Sequence, residues 1–144
     1  MIKSIGIVGQ GFVGSSIKNY FSSTIIDVNT FDLNGDCNCK NLEELASNSE
    51  LIFLCLPTPM RKSGECDLSI VKNAIKNITK TNKDKIIVIK STITPGSTDK
   101  FIEQYGKNII FNPEFLTEAN AQNDFVNQDR IILGGYGIML EKCS

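Results

Sequence analysis

Apolar positions along the chain fall into short continuous runs separated by stretches with helical spacing, and the two patterns alternate from end to end. Residues 2–8 read as a buried strand and Gly9 to Gly14 as a glycine-rich turn. Phe12, Val13, Ile17, Tyr20 and Phe21 then recur at near-helical spacing, which predicts a first helix of about three turns. Residues 28–33 predict a second, weaker strand. Residues 41–49 predict a short helix with Leu42 and Leu45 inward, and residues 51–56 a third strand, stopped by Pro57 and Pro59, which cannot donate ladder hydrogen bonds. Asp67 is the expected N-cap of a helix whose inner face carries Leu68, Val71, Ala74, Ile75 and Ile78. Residues 85–90 predict strand four, 98–105 a helix after a Pro-Gly turn, and 108–111 strand five. Asn112-Pro113-Glu114 is expected to open another helix, with Asn as cap and Pro at the first position. Residues 131–133 are expected to form strand six. Such alternation implies right-handed crossovers and an α/β, doubly wound (Rossmann-like) six-stranded parallel sheet with helices on both faces. The expected dinucleotide-binding domain covers residues 1–134, leaving 135–144 as an unmatched tail.

A length of 144 residues suits one such domain. The formal net charge of −1 provides no basic field for nucleic acid or an anionic membrane, so neither is expected as a partner. The apolar runs at 51–56 and 86–89 are far below the roughly 20 residues that span a bilayer. The N-terminal residues lack a secretory signal's apolar stretch, and a cytoplasmic chain is expected. Five cysteines, Cys37, Cys39, Cys55, Cys66 and Cys143, are an odd number, which favours free thiols over a disulfide framework. Cys37-Asn38-Cys39 has no second Cys pair at zinc-site spacing and the chain has no histidine, so no metal site is expected. The lack of histidine also excludes Ser-His or Cys-His machinery within the chain, leaving carboxylates, Lys, Tyr, Cys or a cofactor for chemistry.

The candidate chemistry starts at Gly9-Gln10-Gly11-Phe12-Val13-Gly14, which fits G-x-G-x-x-G between a predicted strand and a predicted helix. Asp32 follows 23 positions after Gly9, at the end of the second strand. In this pattern Gly9 permits the tight turn, Gly11 lets backbone approach a pyrophosphate at the helix N-terminus, and Gly14 allows close helix–strand packing. Asp32 would accept hydrogen bonds from the adenosine ribose and repel a 2′-phosphate, favouring NAD over NADP. A glycine turn that binds nothing is the alternative.

Three further segments fall beyond the carboxyl ends of strands three, four and five, where a doubly wound sheet presents ligands. They are Leu56-Pro57-Thr58-Pro59, the run from Lys90 through Ser91 and Thr92 to Gly96, and the run from Asn112 to Glu118. The first can wall a nicotinamide site rigidly or simply end a strand. Ser91 and Thr92 can orient water or ribose, or simply form a turn. Glu114 and Glu118, four apart, are expected on one face at the start of a helix, suited to acid/base work or to ordinary N-terminal helix charge. Arg130 beside Asp129 reads as an ion pair or a capping charge.

Together these segments resemble the NAD-binding domain of the UDP-glucose/GDP-mannose dehydrogenase family, over residues 2–134. The resemblance implies two successive NAD-dependent oxidations at the sugar C6 of a nucleotide sugar such as UDP-glucose, from alcohol through aldehyde and thioester to acid. It implies cofactor contacts from the glycine loop, Asp32, the Leu56–Pro59 turn, Ser91, Thr92 and Glu118. It implies Glu114 as the acid/base carboxylate, with Thr92 helping it position water. Leu51 follows Asp32 by only 19 positions, where the family usually has a longer segment with an extra helix. The family's basic residue five positions after the ribose acid is Cys37 here. The family's central helix, with its Lys and Asn, and the sugar-binding domain with the nucleophilic Cys have no counterpart in the sequence. A second chain supplying that half is one implication; a free-standing NAD-binding regulatory or partner-binding module is the alternative.

Overall fold

The computed structural model describes residues 1–137, so Cys143 and most of the expected tail lie outside the described residues. The order of elements is β1 (Ser4–Val8), α1 (Phe12–Phe21), β2 (Asp27–Phe31), α2 (Leu42–Asn48), β3 (Leu51–Leu54), α3 (Ser69–Thr81), β4 (Ile86–Ile89), α4 (Ser97–Tyr105), β5 (Ile109–Phe111), a 3-10 turn (Glu118–Asn120) and α5 (Ala121–Val126). All strand pairs are parallel, in the order β2-β1-β3-β4-β5.

Side chains alternate across each strand, and both faces are covered. Ile52, Leu54, Ile87 and Ile89 face Leu45 of α2, Val71, Ile75 and Ile78 of α3, and Phe101 and Ile102 of α4. Ile5, Ile7, Leu51 and Val88 face Ile17 of α1 and Phe125 of α5. Burial on both faces is why β3 and β4 read as unbroken apolar runs rather than alternating ones. On α3 the spacing of Val71, Ala74, Ile75 and Ile78 places all four on the buried face. Asp67 precedes that helix as expected, its Oδ1 accepting the Ser69 N–H at 2.9 Å, although Leu68 occupies the cap position.

The register matters most for the site. Phe31 pairs with Val8, Val8 with Leu54, Leu54 with Ile89 and Ile89 with Phe111, so all five strands end at one level. The ladder continues for one further row. Gly9 N–H donates to Phe31 O (2.9 Å), Cys55 N–H to Val8 O (2.8 Å), Lys90 N–H to Leu54 O (2.9 Å) and Asn112 N–H to Ile89 O (3.0 Å). Beyond β2 the short connection doubles back on the sheet edge. Asn38 accepts from Thr30 N–H (2.7 Å) and donates to Val28 O (2.8 Å), covering an edge with one side chain rather than another strand.

Among the described residues the sheet has five strands, not six. Near the expected sixth strand, Phe111 and Gly134 exchange two 2.7 Å backbone hydrogen bonds in a single antiparallel bridge. The Asn112 side chain, not a ladder, takes the Ile132 carbonyl at 2.9 Å, and Ile131 is 68% exposed. The helix expected from Asn112 is also displaced: residues 112–117 are irregular and regular turns begin at Glu118. Side chains satisfy this backbone instead. Asp124 accepts from both the N–H and the hydroxyl of Thr117, and Glu114 accepts from Phe115 N–H at 2.9 Å. Proline at 113 also disfavours helical geometry at Asn112. Arg130 forms no ion pair with Asp129; the ion pairs among the described residues are Arg61–Asp67 and Lys90–Glu114.

Gly14 sets the distance between α1 and the turn after β1. A β-carbon there would lie 1.9 Å from the Gly9 carbonyl oxygen, a backbone atom with no freedom to yield. Gly14→Ala is therefore expected to cost at least the about 1–3 kcal/mol typical of overpacking, read from urea unfolding; wild-type stability in the variant would show that α1 does not pack this closely.

Candidate functional site

The row of residues one step past the strand ends, Asp32, Gly9, Cys55, Lys90 and Asn112, forms the floor of a site. Together with the loops that follow, most of it bounds a cleft of about 1040 Å³. The order of the strands explains the opening: the chain leaves β1 toward β2 on one side and crosses to β3 on the other, and the loops diverge between them.

At the centre is the glycine turn. Gly9 has φ +95°, and a β-carbon on it would meet the Cys55 carbonyl oxygen at 2.3 Å, so only glycine fits. Gly11, at the cap of α1, has open space where a β-carbon would point. α1 has neither a side-chain cap nor an acidic residue in its first turn. Among the described residues, the N–H groups of Gly11, Phe12 and Val13 have no acceptor. An anion seated there would take those N–H groups and the positive end of the helix dipole. A dinucleotide's pyrophosphate fits this cradle by charge, donor count and space.

Asp32 stands beside the cradle. Its Oδ2 accepts the Gln10 N–H at 2.5 Å and its Oδ1 the Asn34 N–H at 2.9 Å, which fixes the carboxylate at the cleft wall. On the other side, Ser91 ties two loops together: its Oγ accepts from Leu56 N–H at 2.9 Å and lies 3.3 Å from Leu54 O. Thr58 Oγ1 donates to Thr92 O at 2.6 Å, linking the turn after β3 to the loop after β4. Ser91 is buried and committed to this bracing; Thr92 is exposed.

The cleft brings together Gly9, Gln10, Gly11, Phe12, Val13, Asp32, Leu56, Pro57, Thr58, Ser91, Thr92 and Glu114. Three expected residues fall outside it. Gly14 lies beneath the turn, against Gly9. Pro59 is beyond the lip, and Glu118 lines a separate small cavity of about 330 Å³ with Phe12, Asn19 and Gln122. Glu114 and Glu118 therefore do not share a helix face, because Glu114 turns inward from an irregular segment.

Lys90 explains that turn. Its side chain is 3% exposed, with Nζ 2.7 Å from Glu114 Oε2 and 2.8 Å from Asn112 Oδ1. The Glu114 side chain is 10% exposed, and its Oε2 has no aligned hydrogen bond among the described residues. That oxygen is buried against the lysine, which neutralises its charge, and the residue borders the cleft. The sequence signal for this role was a lysine closing the buried run at 86–89, since a charge in that position requires a partner. The sequence reading also missed the cleft's far wall, to which α3 contributes Ile70, Asn73 and Asn77. Cys55 also borders the cleft. Burial pushes its thiol up to about 12; the Lys90 charge opposes this and the Glu114 charge adds to it. A neutral thiol at physiological pH is a poor nucleophile.

Removing one partner of a buried pair strands the other. Lys90→Met and Glu114→Gln are each expected to destabilise, Lys90→Met by about 3–5 kcal/mol, and the double substitution to cost much less than their sum. Additive losses in urea unfolding would mean the two groups are not coupled.

Comparison with known proteins agrees with this geometry. Residues 37–139 match the model of the UDP-glucose/GDP-mannose dehydrogenase family, NAD binding domain. The UDP-glucose 6-dehydrogenase of Rickettsia bellii (strain RML369-C) is 46% identical over 98 residues, which is 64% of this chain and 22% of that protein. UDP-glucose 6-dehydrogenase AglM of Haloferax volcanii is 30% identical over 173 aligned positions, covering 90% of this chain and 40% of its own length. The chain thus spans about a fifth to two fifths of these relatives. In fold, it matches the structure of a UDP-glucose dehydrogenase from the hyperthermophilic archaeon Pyrobaculum islandicum with a TM-score of 0.84 at 22% identity, over 99% of this chain and 43% of that one. With the glycine cradle, the acidic strand end and the family match all in one sheet, the chain belongs to the UDP-glucose/GDP-mannose dehydrogenase family and carries its NAD-binding domain.

Proposed function

We propose that the chain holds NAD across the ends of its strands as the cofactor-binding part of a nucleotide-sugar 6-dehydrogenase acting on UDP-glucose or a related sugar. The observation that supports this best is the open, uncapped N-terminus of α1 at Gly11, set beside Asp32 in one cleft with Glu114. We assign residues 1–134 to this domain, and the bridge from Gly134 back to Phe111 supports that boundary.

In this reading the N–H groups of Gly11, Phe12 and Val13 hold the pyrophosphate. Asp32, already fixed by Gln10 and Asn34, uses its remaining lone pairs on the ribose hydroxyls. Leu56, Pro57 and Thr58 wall the nicotinamide side, and the prolines at 57 and 59 lose little entropy in doing so. NAD bound there would supply the hydride acceptor for oxidation of the sugar alcohol. The Glu114 carboxylate, at the cleft wall, takes up the hydroxyl proton or activates water, and the exposed Thr92 hydroxyl helps orient that water. Lys90 holds the Glu114 carboxylate in place through their 2.7 Å contact.

The acid step through a thioester requires a nucleophilic thiol. Cys55 is unsuited to it, which supports completion of the reaction by residues outside residues 1–137, in the same polypeptide or a second chain. A stand-alone NAD-binding module with a regulatory role is the second reading; the inward-turned Glu114, paired with Lys90 at the cleft wall, favours the first.

NAD is expected to bind more tightly than NADP by at least about tenfold, equivalent to about 1.4 kcal/mol. The physical basis is repulsion between Asp32 and a 2′-phosphate, about 1–4 kcal/mol for unit charges near 4 Å. Calorimetry checks this directly, and Asp32→Ala is expected to reduce the ratio. Equal affinities in the wild type would contradict the assignment of Asp32.

A further inference from the structure

Asn34-Gly35 is the one Asn-Gly pair in the sequence. The structure places it at the ribose end of the cleft, where both residues line the wall next to Asp32. Asn-Gly pairs rearrange because glycine, without a side chain, lets its backbone nitrogen approach the carbonyl carbon of the preceding side-chain amide. Whether this occurs depends on whether the reacting groups are free.

Here they are. Both residues are exposed. The main chain of Asn34 is held by its N–H to Asp32 Oδ1 at 2.9 Å. Among the described residues, neither the side-chain amide of Asn34 nor the N–H of Gly35 has a hydrogen-bond partner. Other asparagines are engaged: Asn38 with Thr30 and Val28, Asn41 with Glu44, and Asn112 with Lys90 and Ile132. The next anchors along the loop are Cys37, whose thiol reaches Asp32 O at 3.8 Å, and Asn38, so the pair sits in a short free span between fixed points. Gly35 has no positive φ, and a β-carbon on it would make ordinary contacts of 3.5–3.6 Å with Asp32 and Gln10. A side chain is therefore compatible with position 35, which makes a clean variant available.

We propose that Asn34 is a site of spontaneous deamidation that adds a negative charge beside Asp32 and thereby weakens dinucleotide binding. The proposal rests on the reading of the cleft as an NAD site. In the reaction, solvent hydroxide takes the proton from Gly35 N, which attacks Asn34 Cγ. The new N–C bond closes a five-membered succinimide, the Cγ–Nδ2 bond breaks, and ammonia leaves with a proton from water. Water then opens the ring at either carbonyl to give aspartate or isoaspartate. The sequence is a net hydrolysis and requires no oxidant or reductant. Either product places a third carboxylate at a wall that already carries Asp32 and Glu43, facing an anionic pyrophosphate. The isoaspartate form also inserts a methylene into the main chain next to the Asp32 anchor. A bound dinucleotide covers the same wall, so it slows its own loss.

The test uses the purified chain, held in mildly alkaline buffer with and without saturating NAD. Intact mass and peptide mapping follow the modification, and calorimetry measures NAD affinity of fresh chain, aged chain and Asn34→Asp. The expected result is conversion confined to position 34, giving both isomers, slower with NAD and lost in Gly35→Ala and Asn34→Gln. Aged chain and Asn34→Asp are expected to bind NAD more weakly by roughly fivefold, the effect of about 1 kcal/mol between charges near 4 Å in water. The proposal is overturned if position 34 stays intact while other asparagines convert, or if modified and fresh chain bind NAD equally. Failure of fresh chain to bind NAD at all would overturn the reading of the cleft and the coupling to it, whereas the mass measurement reads the chemistry independently.

Discussion

The level at which the five parallel strands end is the constraint on which the site depends. Because Phe31, Val8, Leu54, Ile89 and Phe111 are in register, the next residue of every strand enters one row, and that row holds the glycine of the turn, Asp32 and the buried lysine. A slip of one residue in any strand would turn its apolar set to the wrong face of the sheet. The two buried faces that stabilise the sheet therefore also fix the relative positions of side chains distant in sequence. Asp32 and Glu114 line one cleft for this reason, with no direct contact between them.

Within that row, electrostatics divides the cleft. One end carries free N–H groups and a helix dipole, suited to an anion; the other carries a carboxylate whose charge is balanced by a lysine behind it. Burying Lys90 and Glu114 is costly unless they are paired, and the lysine's second contact, to Asn112, meets more of its hydrogen-bonding demand. The same interactions pull residues 112–114 inward and prevent the helix that their sequence would otherwise open. Local propensity yields here to a tertiary ion pair.

This contrast explains what could be read from the sequence. The strands and the helices α1 to α4 were legible because burial on two faces writes unbroken apolar runs into the strands, as in Leu51–Leu54, and a 3.6-residue period into the helices, as along α3. The glycine turn was legible because Gly9 and Gly14 answer steric demands while Gly11 leaves the helix N-terminus open. The segment after β5 was not, since Asn-Pro-Glu carries a valid helix-start signal and the lysine that overrides it lies 24 positions earlier. Residues 131–133 looked like a strand because three apolar β-formers are a local signal, whereas pairing depends on an edge three residues long, whose neighbouring Asn112 side chain takes the Ile132 carbonyl. The bracing role of Ser91 was equally hidden: its hydroxyl links two loops 35 positions apart.

The position of the dinucleotide relative to that row is the central claim, and backbone amide NMR during an NAD titration tests it most directly. The largest shifts are expected at Gly11, Phe12 and Val13, with smaller ones along Asp32, Leu56 and Ser91, and none along α4 or the strand starts at Ser4 and Asp27. Shifts centred on the cavity beside Glu118, or an unperturbed glycine turn at saturating NAD, would contradict it.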